Sequence, residues 1–303
     1  MQMASFSAKS NSKYSARSIS FPSRTHPTTH RIDIELNKLK SLEVKYRTPS
    51  SGSVLAGLSD LEELYISLGD LLNMSSTQQA LSCLHGRSCT NGLLEGSIRL
   101  LDVCGSMREM LMQIKEHVQA LQSVLRRRKG DSSIEAVFSN YANFRKRMRK
   151  EARRLKQIMG VSLRGASTLL VDDPQLSSLA RVLSEVDTVS TSVFQSIVSF
   201  LVMPVPRCKQ SKWSLMSRLV HRGAVACEDA NQEDANEFEY VDASLFALRK
   251  HGANDGFDSE KLQSTQHQLG ALEMSIGGIE NALEGLYRRL IRTRASLLNI
   301  ISH

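Results

Sequence analysis

The sequence predicts an all-α protein, an elongated antiparallel helical bundle with coiled-coil-like seams and a disordered N-terminal tail. Aromatic residues make up only 5% of the chain, while leucine, lysine, arginine and glutamate are abundant, as is typical of helical proteins. None of the six prolines lies between Pro49 and Pro174 or after Pro206, so two long stretches lack the residue that breaks helices. Within these stretches, apolar residues recur at alternating steps of three and four, which is the spacing of one helix face.

The predicted tail covers residues 1–30 and is basic and rich in serine. It has little apolar periodicity, which predicts disorder, because such a segment cannot bury enough surface to offset the entropy lost on ordering. A segment with no acidic residue before Asp33 also resembles a plastid transit peptide, so a chloroplast location is the alternative to the cytoplasmic one that we expect. Five cysteines without a CxxC pair favour a reducing compartment.

The predicted bundle domain covers residues 31–303. Its first helix is expected over RIDIELNKLKSLEVKY (31–46), and a loop follows. The second helix lies in residues 54–73, and a short helix with a polar loop comes after it. The apolar face of the second helix consists of Leu58, Leu61, Tyr65, Leu68 and Leu72.

The clearest predicted helix is the segment at residues 93–130. Its apolar residues alternate steps of three and four without a miss, so that they keep one seam facing a partner helix. The seam consists of Cys104, Met107, Leu111, Ile114, Val118, Leu121 and Leu125. We expect Leu94, Ile98 and Leu101 to extend this face upstream, with a slip near Gly105.

Two further helices are predicted upstream of the polar segments in the C-terminal third of the chain. An S-x-x-E capping signal, Ser132 with Glu135, opens the first, and residues 159–174 are expected to break the helical pattern before the second. The apolar face of the first consists of Ile134, Phe138, Tyr141, Phe144, Met148 and Leu155. That of the second consists of Leu176, Leu179, Leu183, Val186, Val193, Ile197 and Phe200.

The C-terminal third contains two polar segments and one long helix. Residues 209–222 are predicted as a short basic helix around Trp213, and residues 227–242, which hold seven acidic residues, as a solvated acidic loop. The last helix has a regular seam formed by Leu269, Leu272, Ile276, Ile279, Leu283, Leu286, Leu290, Leu297 and Ile300. Every seam needs an apolar partner, which other helices of the same chain can provide; a homodimer is the alternative.

The sequence carries no pattern that predicts catalysis. It contains no GxxxxGK[ST] loop, no GxGxxG turn and no GxSxG elbow, so we expect neither an enzyme nor a bound cofactor. The strongest metal-binding candidate is the group Cys83, His85 and Cys89, whose spacing matches no standard zinc pattern and lacks a second ligand pair. No run of about 18 apolar residues is present, so no membrane-spanning helix is expected.

A basic run, RKRMRKEARRLK (145–156), is the first candidate binding surface. Phe144, Met148 and Leu155 repeat at helical spacing, which places the charges on the outward face of a packed helix. The cations are Arg145, Lys146, Arg147, Arg149, Lys150, Arg153, Arg154 and Lys156. A solvated face is the main interpretation, and contact with an anionic membrane surface is the alternative, which a net charge of +8 suits. Sequence-specific binding of nucleic acid is not expected, because no recognised module is visible.

A second candidate lies in the tail, in RSISFP (17–22). Arg17, Ser18, Ser20 and Pro22 fit the pattern R-S-x-S-x-P, which resembles a ligand of 14-3-3 proteins once Ser20 is phosphorylated. The phosphate adds close to two negative charges that an arginine-lined groove can hold. The tail is therefore interpreted as a phosphorylatable docking segment.

Three segments together resemble the plant-specific BYPASS-like family of helical proteins. They are SFPSRTHP (20–27), the long segment at residues 93–130 and LYRRLIRTRASLLNIISH (286–303). The resemblance implies a non-enzymatic role in root and shoot development, partly through control of a mobile signal, and it supplies no catalytic residues. It also implies a location that differs among members, in plastids, in the cytoplasm or at membranes.

Overall fold

The computed structural model describes residues 27–45, 49–82, 88–127, 131–165, 174–202, 236–255 and 259–302, nearly all of them helical. The helices are α1 (Pro27–Lys45), α2 (Ser51–Leu72), α3 (Ser75–Ser82), α4 (Ser88–Arg127), α5 (Asp131–Gly165), α6 (Pro174–Val202), α7 (Glu237–Asp255) and α8 (Ser259–Ser302). They pack around one continuous apolar core, which confirms the predicted all-α bundle. At 1.5 Å per residue, α4 and α8 are each roughly 60 Å long or more.

Helix α8 is the centre of the bundle, since its most extensive contacts are with α4 and α2. It runs antiparallel to α4, because Gln119 pairs with Glu273 near one end and Arg294 bonds to the Leu94 carbonyl near the other. Helices α2 and α8 run in the same direction, because Leu55 lies beside Gly278 and Glu62 lies beside Gly285. The predicted seam of α8 is buried along its whole length, and Thr293 bridges the step between its last leucines. Every predicted seam residue of α2, and of α4 from Cys104 onward, is buried as well.

The upstream part of the α4 seam differs from the prediction at Ile98, whereas Leu94 and Leu101 are partly buried and pack against the core as expected. Ile98 is 43% exposed, whereas Leu100 and Val103 are buried. A continuous helix cannot change register, so the face that contains Cys104 passes back through Leu100, four residues earlier, and no slip occurs at Gly105.

Several predicted boundaries also need correction. Helix α1 begins at Pro27 instead of residue 31, because proline suits the first helical turn, where its missing N–H would have no partner. Helix α5 continues to Gly165, past the predicted break at residue 159, and buries Met159.

The predicted acidic loop at 227–242 is wrong at its C-terminal end, because α7 begins at Glu237 and buries Phe238 and Val241. The Glu237 carboxylate also accepts hydrogen bonds from the backbone N–H and the hydroxyl of Ser51, at the start of α2. An anion at a helix N-terminus is stabilised by the unpaired N–H groups there. This contact and its buried side chains hold the first turn of α7 to the bundle.

Candidate functional site

Six of the eight cations in the basic run on α5 lie on the surface of the bundle. The same helix buries Phe144, Met148, Ala152 and Leu155 in the core, so the intervening positions point outward. The exposed cations are Lys146, Arg147, Lys150, Arg153, Arg154 and Lys156. In the described part of the chain, only Arg154 among these six makes a salt bridge, with Glu151 at 3.4 Å.

Arg145 does not belong to this surface, which corrects the sequence prediction. Its side chain is only 3% exposed, and its guanidinium Nη2 lies 3.0 Å from the Asp242 carboxylate of α7, whose side chain is 7% exposed. A buried guanidinium needs a charged partner and hydrogen bonds to offset its lost hydration. Asp242 supplies the charge, and the Leu201 carbonyl at the end of α6 accepts a further bond from Nη1 at 2.6 Å.

The remaining partners of Asp242 complete a buried polar cluster, formed by Tyr141, Arg145, Arg149 and Asp242. The Tyr141 hydroxyl donates to the carboxylate at 2.7 Å, and Arg149 approaches it at 3.7 Å with its own side chain 28% exposed. Burial raises the pKa of the Tyr141 phenol well above its ordinary value, and the Asp242 charge acts in the same direction. Burial and the neighbouring Arg145 charge lower the pKa of Arg149. The phenol therefore stays protonated and donates its hydrogen bond.

The buried polar cluster joins three helices at one point. The Arg145 guanidinium lies over the Phe238 ring, 4.5 Å from its centroid, and the Asn236 side chain donates to the Phe200 carbonyl at 2.9 Å. The end of α6 and the start of α7 are thereby fixed beside the middle of α5. This arrangement stabilises the fold, and its charged groups are turned inward.

Sequence reasoning missed Asp242 because it was one of seven acidic residues assigned to a loop. A usable signal was present, since Phe238, Val241, Leu245 and Leu248 follow steps of three and four. All four are buried in α7. The acidic composition of the segment hid this short apolar face.

A stripe of four carboxylates runs along the outward side of α4, and we call it the acidic stripe. Its members are spaced by seven residues and are exposed, namely Glu95, Asp102, Glu109 and Glu116. Within the described residues, none of the four makes a salt bridge. Ile98 and Met112 lie between them and are 43% and 50% exposed.

Helices α4 and α5 form an antiparallel hairpin with a shallow groove between their outward sides. The ring of His117 stacks on that of Phe144, with centroids 4.2 Å apart, which fixes the level of one helix against the other. Burial and the nearby Arg147 charge lower the pKa of His117. The groove has a volume of about 400 Å³, and its lining includes the exposed Ile98 and Ile158 as well as the charged side chains Glu95, Asp102, Glu151 and Arg154. Both helices therefore present their charges on one outer face.

Two other titratable groups lie deep in the core. Burial raises the pKa of the Cys104 thiol to about 12, so this thiol is protonated and weakly nucleophilic at neutral pH. Burial also raises the pKa of the Tyr65 phenol, whose oxygen lies 3.0 Å from the Ser190 hydroxyl between α2 and α6. Both side chains serve packing between helices.

Several predicted site residues lie outside the described residues. These are Arg17, Ser18, Ser20 and Pro22 of the tail, Trp213, and the pair Cys83 and His85; Cys89 lies in α4 without a described side chain. In the part of the chain that the structure describes, His, Cys, Asp and Glu side chains form no group of three suited to a metal ion. None of the described helices is long and apolar enough to span a membrane.

Comparison with known proteins gives one match. A family model described as Protein BPS1 matches residues 57–300, which extends from α2 to the end of α8. No curated protein and no solved structure matches the chain.

Proposed function

Because the chain belongs to the BPS1 protein family, we propose that it is a non-enzymatic regulatory protein of root and shoot development that acts by binding other proteins. Family membership confirms the resemblance that the sequence indicated and is consistent with a developmental role in plants. One structural observation supports a binding role: on the outer face of the α4–α5 hairpin, the acidic stripe, Arg147 and Lys150 are exposed and make no salt bridge within the described chain. Exposed, unneutralised charge of this kind favours recognition of a complementary surface.

The tail supplies the regulated part of this proposal. Phosphorylated Ser20, with Arg17 three residues before it and Pro22 two residues after it, would present a dianion to an arginine-lined groove of a 14-3-3 protein. The tail precedes Pro27, where the described bundle begins, so docking would leave the folded part intact. Phosphorylation would then control which partners the protein meets.

A pull-down from plant extract tests the docking step. We expect a peptide of residues 14–26 phosphorylated on Ser20 to recover 14-3-3 proteins at least tenfold above the same peptide without phosphate, because charge-assisted hydrogen bonds form only with the phosphate. The Ser20→Ala peptide is the control, and a peptide phosphorylated on Ser18 tests position. Equal recovery by the phosphorylated and Ser20→Ala peptides would refute the switch.

A second candidate function is that of a peripheral membrane adaptor. The observation that favours it is a group of exposed cations on the α5 flank away from α4, formed by Lys146, Arg153 and Lys156. They have no salt bridge in the described chain, and each cation near an anionic leaflet contributes about 1 kcal/mol of attraction. In this alternative the protein binds lipid headgroups through α5 in the cytoplasm.

Co-sedimentation with vesicles tests the membrane alternative. We expect wild-type protein to pellet with phosphatidylserine vesicles at low salt, and the Lys146→Glu/Arg153→Glu/Lys156→Glu variant to lose at least tenfold in binding, since three attractive charges become repulsive. Vesicles of phosphatidylcholine alone are the matched control. Binding that persists in the variant, or that is equal on neutral vesicles, rules out this electrostatic mode.

A further inference from the structure

The outer face of the α4–α5 hairpin carries two parallel stripes of opposite charge. The acidic stripe runs along α4, and a basic stripe, formed by Arg147, Lys150 and Arg154, runs along α5 at steps of three and four. Such steps place residues on one side of a helix. Arg154 also lines the groove between the two helices, which shows that the basic stripe borders α4.

The basic stripe stands at the level of the C-terminal half of the acidic stripe, which holds Glu109 and Glu116, whereas Glu95 and Asp102 lie beyond Arg154. His117 stacks on Phe144, and the N-terminal half of α4 lines one groove with the C-terminal half of α5, so positions on the two antiparallel helices can be matched from the stacked pair. By this register, Glu116 stands near the level of Arg147. Glu109 stands between the levels of Lys150 and Arg154.

In the described part of the chain, the two stripes make no salt bridge with each other. Within the described residues, no carboxylate of the acidic stripe pairs with a cation, and Arg147 and Lys150 make no salt bridge. Exposed apolar side chains accompany the stripes, since Ile98 and Met112 on α4 and Ile158 on α5 are 43%, 50% and 37% exposed. Unpaired charge around exposed aliphatic groups is the composition of a polar-rimmed interface.

We propose that this face binds a second copy of the same chain around a two-fold axis parallel to the hairpin. Rotation about that axis lays α4 of one copy over α5 of the other and keeps every residue at its level. Glu109 and Glu116 of each copy then meet the basic stripe of its partner, so that both contacts are attractive. The exposed isoleucines and Met112 are covered in the same contact.

A second copy fits this face better than any partner of a single charge sign. An anionic membrane would attract the basic stripe and repel the four carboxylates beside it, and a basic protein would meet the reverse conflict. A partner that carries both an acidic and a basic stripe at matching levels attracts both stripes of this face. The chain itself is such a partner, and the cations Lys146, Arg153 and Lys156 lie on the other flank of α5.

Charge reversal in two complementary variants tests the proposal with the full chain. The acid-reversed variant is Glu109→Lys/Glu116→Lys, and the base-reversed variant is Arg147→Glu/Lys150→Glu. Analytical ultracentrifugation should show a wild-type dimer at about 0.05 M salt that dissociates at about 0.5 M, because salt screens exposed charges. Each variant alone should be monomeric, with at least a tenfold weaker association, since both of its contacts are then repulsive.

An equimolar mixture of the two variants should recover a dimer, because every reversed stripe meets its opposite. The matched control is Lys146→Glu/Arg153→Glu, which changes the charge of α5 equally on the other flank and should leave the mass unchanged. Circular dichroism confirms that each variant is folded. A wild-type monomer up to about 100 μM would overturn the proposal. So would dimers in both single variants, or no dimer in the mixture.

Vesicle binding separates this proposal from the membrane alternative. One outcome is that the wild-type protein stays monomeric and pellets with phosphatidylserine vesicles, whereas the base-reversed variant alone fails to pellet. In that case the basic stripe binds a membrane, and the dimer is refuted. If the dimer forms and responds to charge reversal as stated, the proposal stands whether or not the flank cations bind lipid.

Discussion

Replacing Asp242 with alanine is expected to lower the free energy of unfolding by about 3–5 kcal/mol, the cost of leaving a buried charge without its partner. The Asp242 carboxylate receives the Arg145 guanidinium at 3.0 Å and the Tyr141 hydroxyl at 2.7 Å in a site where both charged side chains are almost fully buried. Without it, the Arg145 charge loses its counterion and Tyr141 loses its acceptor. Equilibrium urea denaturation followed by circular dichroism measures the loss.

The chain offers a matched control for this variant. Glu135 of α5 forms a salt bridge with Arg249 of α7, between the same two helices, but the two side chains are 49% and 52% exposed. Exposed pairs contribute about 0–1 kcal/mol, so Glu135→Ala should cost no more than that. Similar losses in the two variants, or a loss below about 1 kcal/mol for Asp242→Ala, would show that the buried polar cluster does not hold α7 in place.

Replacing Leu283 with alanine is expected to cost about 2–5 kcal/mol, because it removes a buried side chain and leaves a cavity that the core fills only in part. Leu283 is fully buried in α8, and its carbonyl faces the Cys104 thiol of α4 at 3.9 Å. Met274 on the same helix is 75% exposed, so Met274→Ala should change the free energy of unfolding by no more than about 0.5 kcal/mol. Equal effects of the two changes would mean that the outward side of α8 is buried in solution.

The seams were predictable because helix periodicity is a local property. A helix repeats its face every three or four residues, so regular spacing places Leu111, Val118 and Leu125 on one side of α4. All three are buried. Where the apolar pattern was ambiguous, at Ile98, the register of the continuous helix decided which side was covered. Where two apolar registers of one helix compete in a sequence, the register that continues the longest regular run predicts which side is buried.

The buried polar cluster could not be predicted in the same way. Arg145 follows the buried Phe144 and stands at the edge of the apolar face of α5, where the neighbouring helix decides between exposure and burial. That neighbour is α7, almost 100 residues later in the chain, and its Asp242 offered no local sign of pairing. Tertiary partners of charged residues depend on topology, which periodicity does not encode.

The charged outer face could be predicted from the sequence only in part. The seven-residue spacing from Glu95 to Glu116 is visible in the sequence, as is the run of cations on α5. Neither pattern shows that both stripes lie on one face, because that depends on the register of the hairpin. The stack of His117 on Phe144 fixes this register.

The apolar seams of α2, α4 and α8 close against one another within one chain, which leaves the charged outer face for the association that we propose. Urea denaturation of the wild-type protein at about 0.5 M salt, over a hundredfold range of protein concentration, tests the claim that no second chain is needed to complete the core. We predict one cooperative transition whose midpoint does not depend on concentration. A midpoint that rises with concentration would contradict the claim, because it would mean that a second chain completes the core.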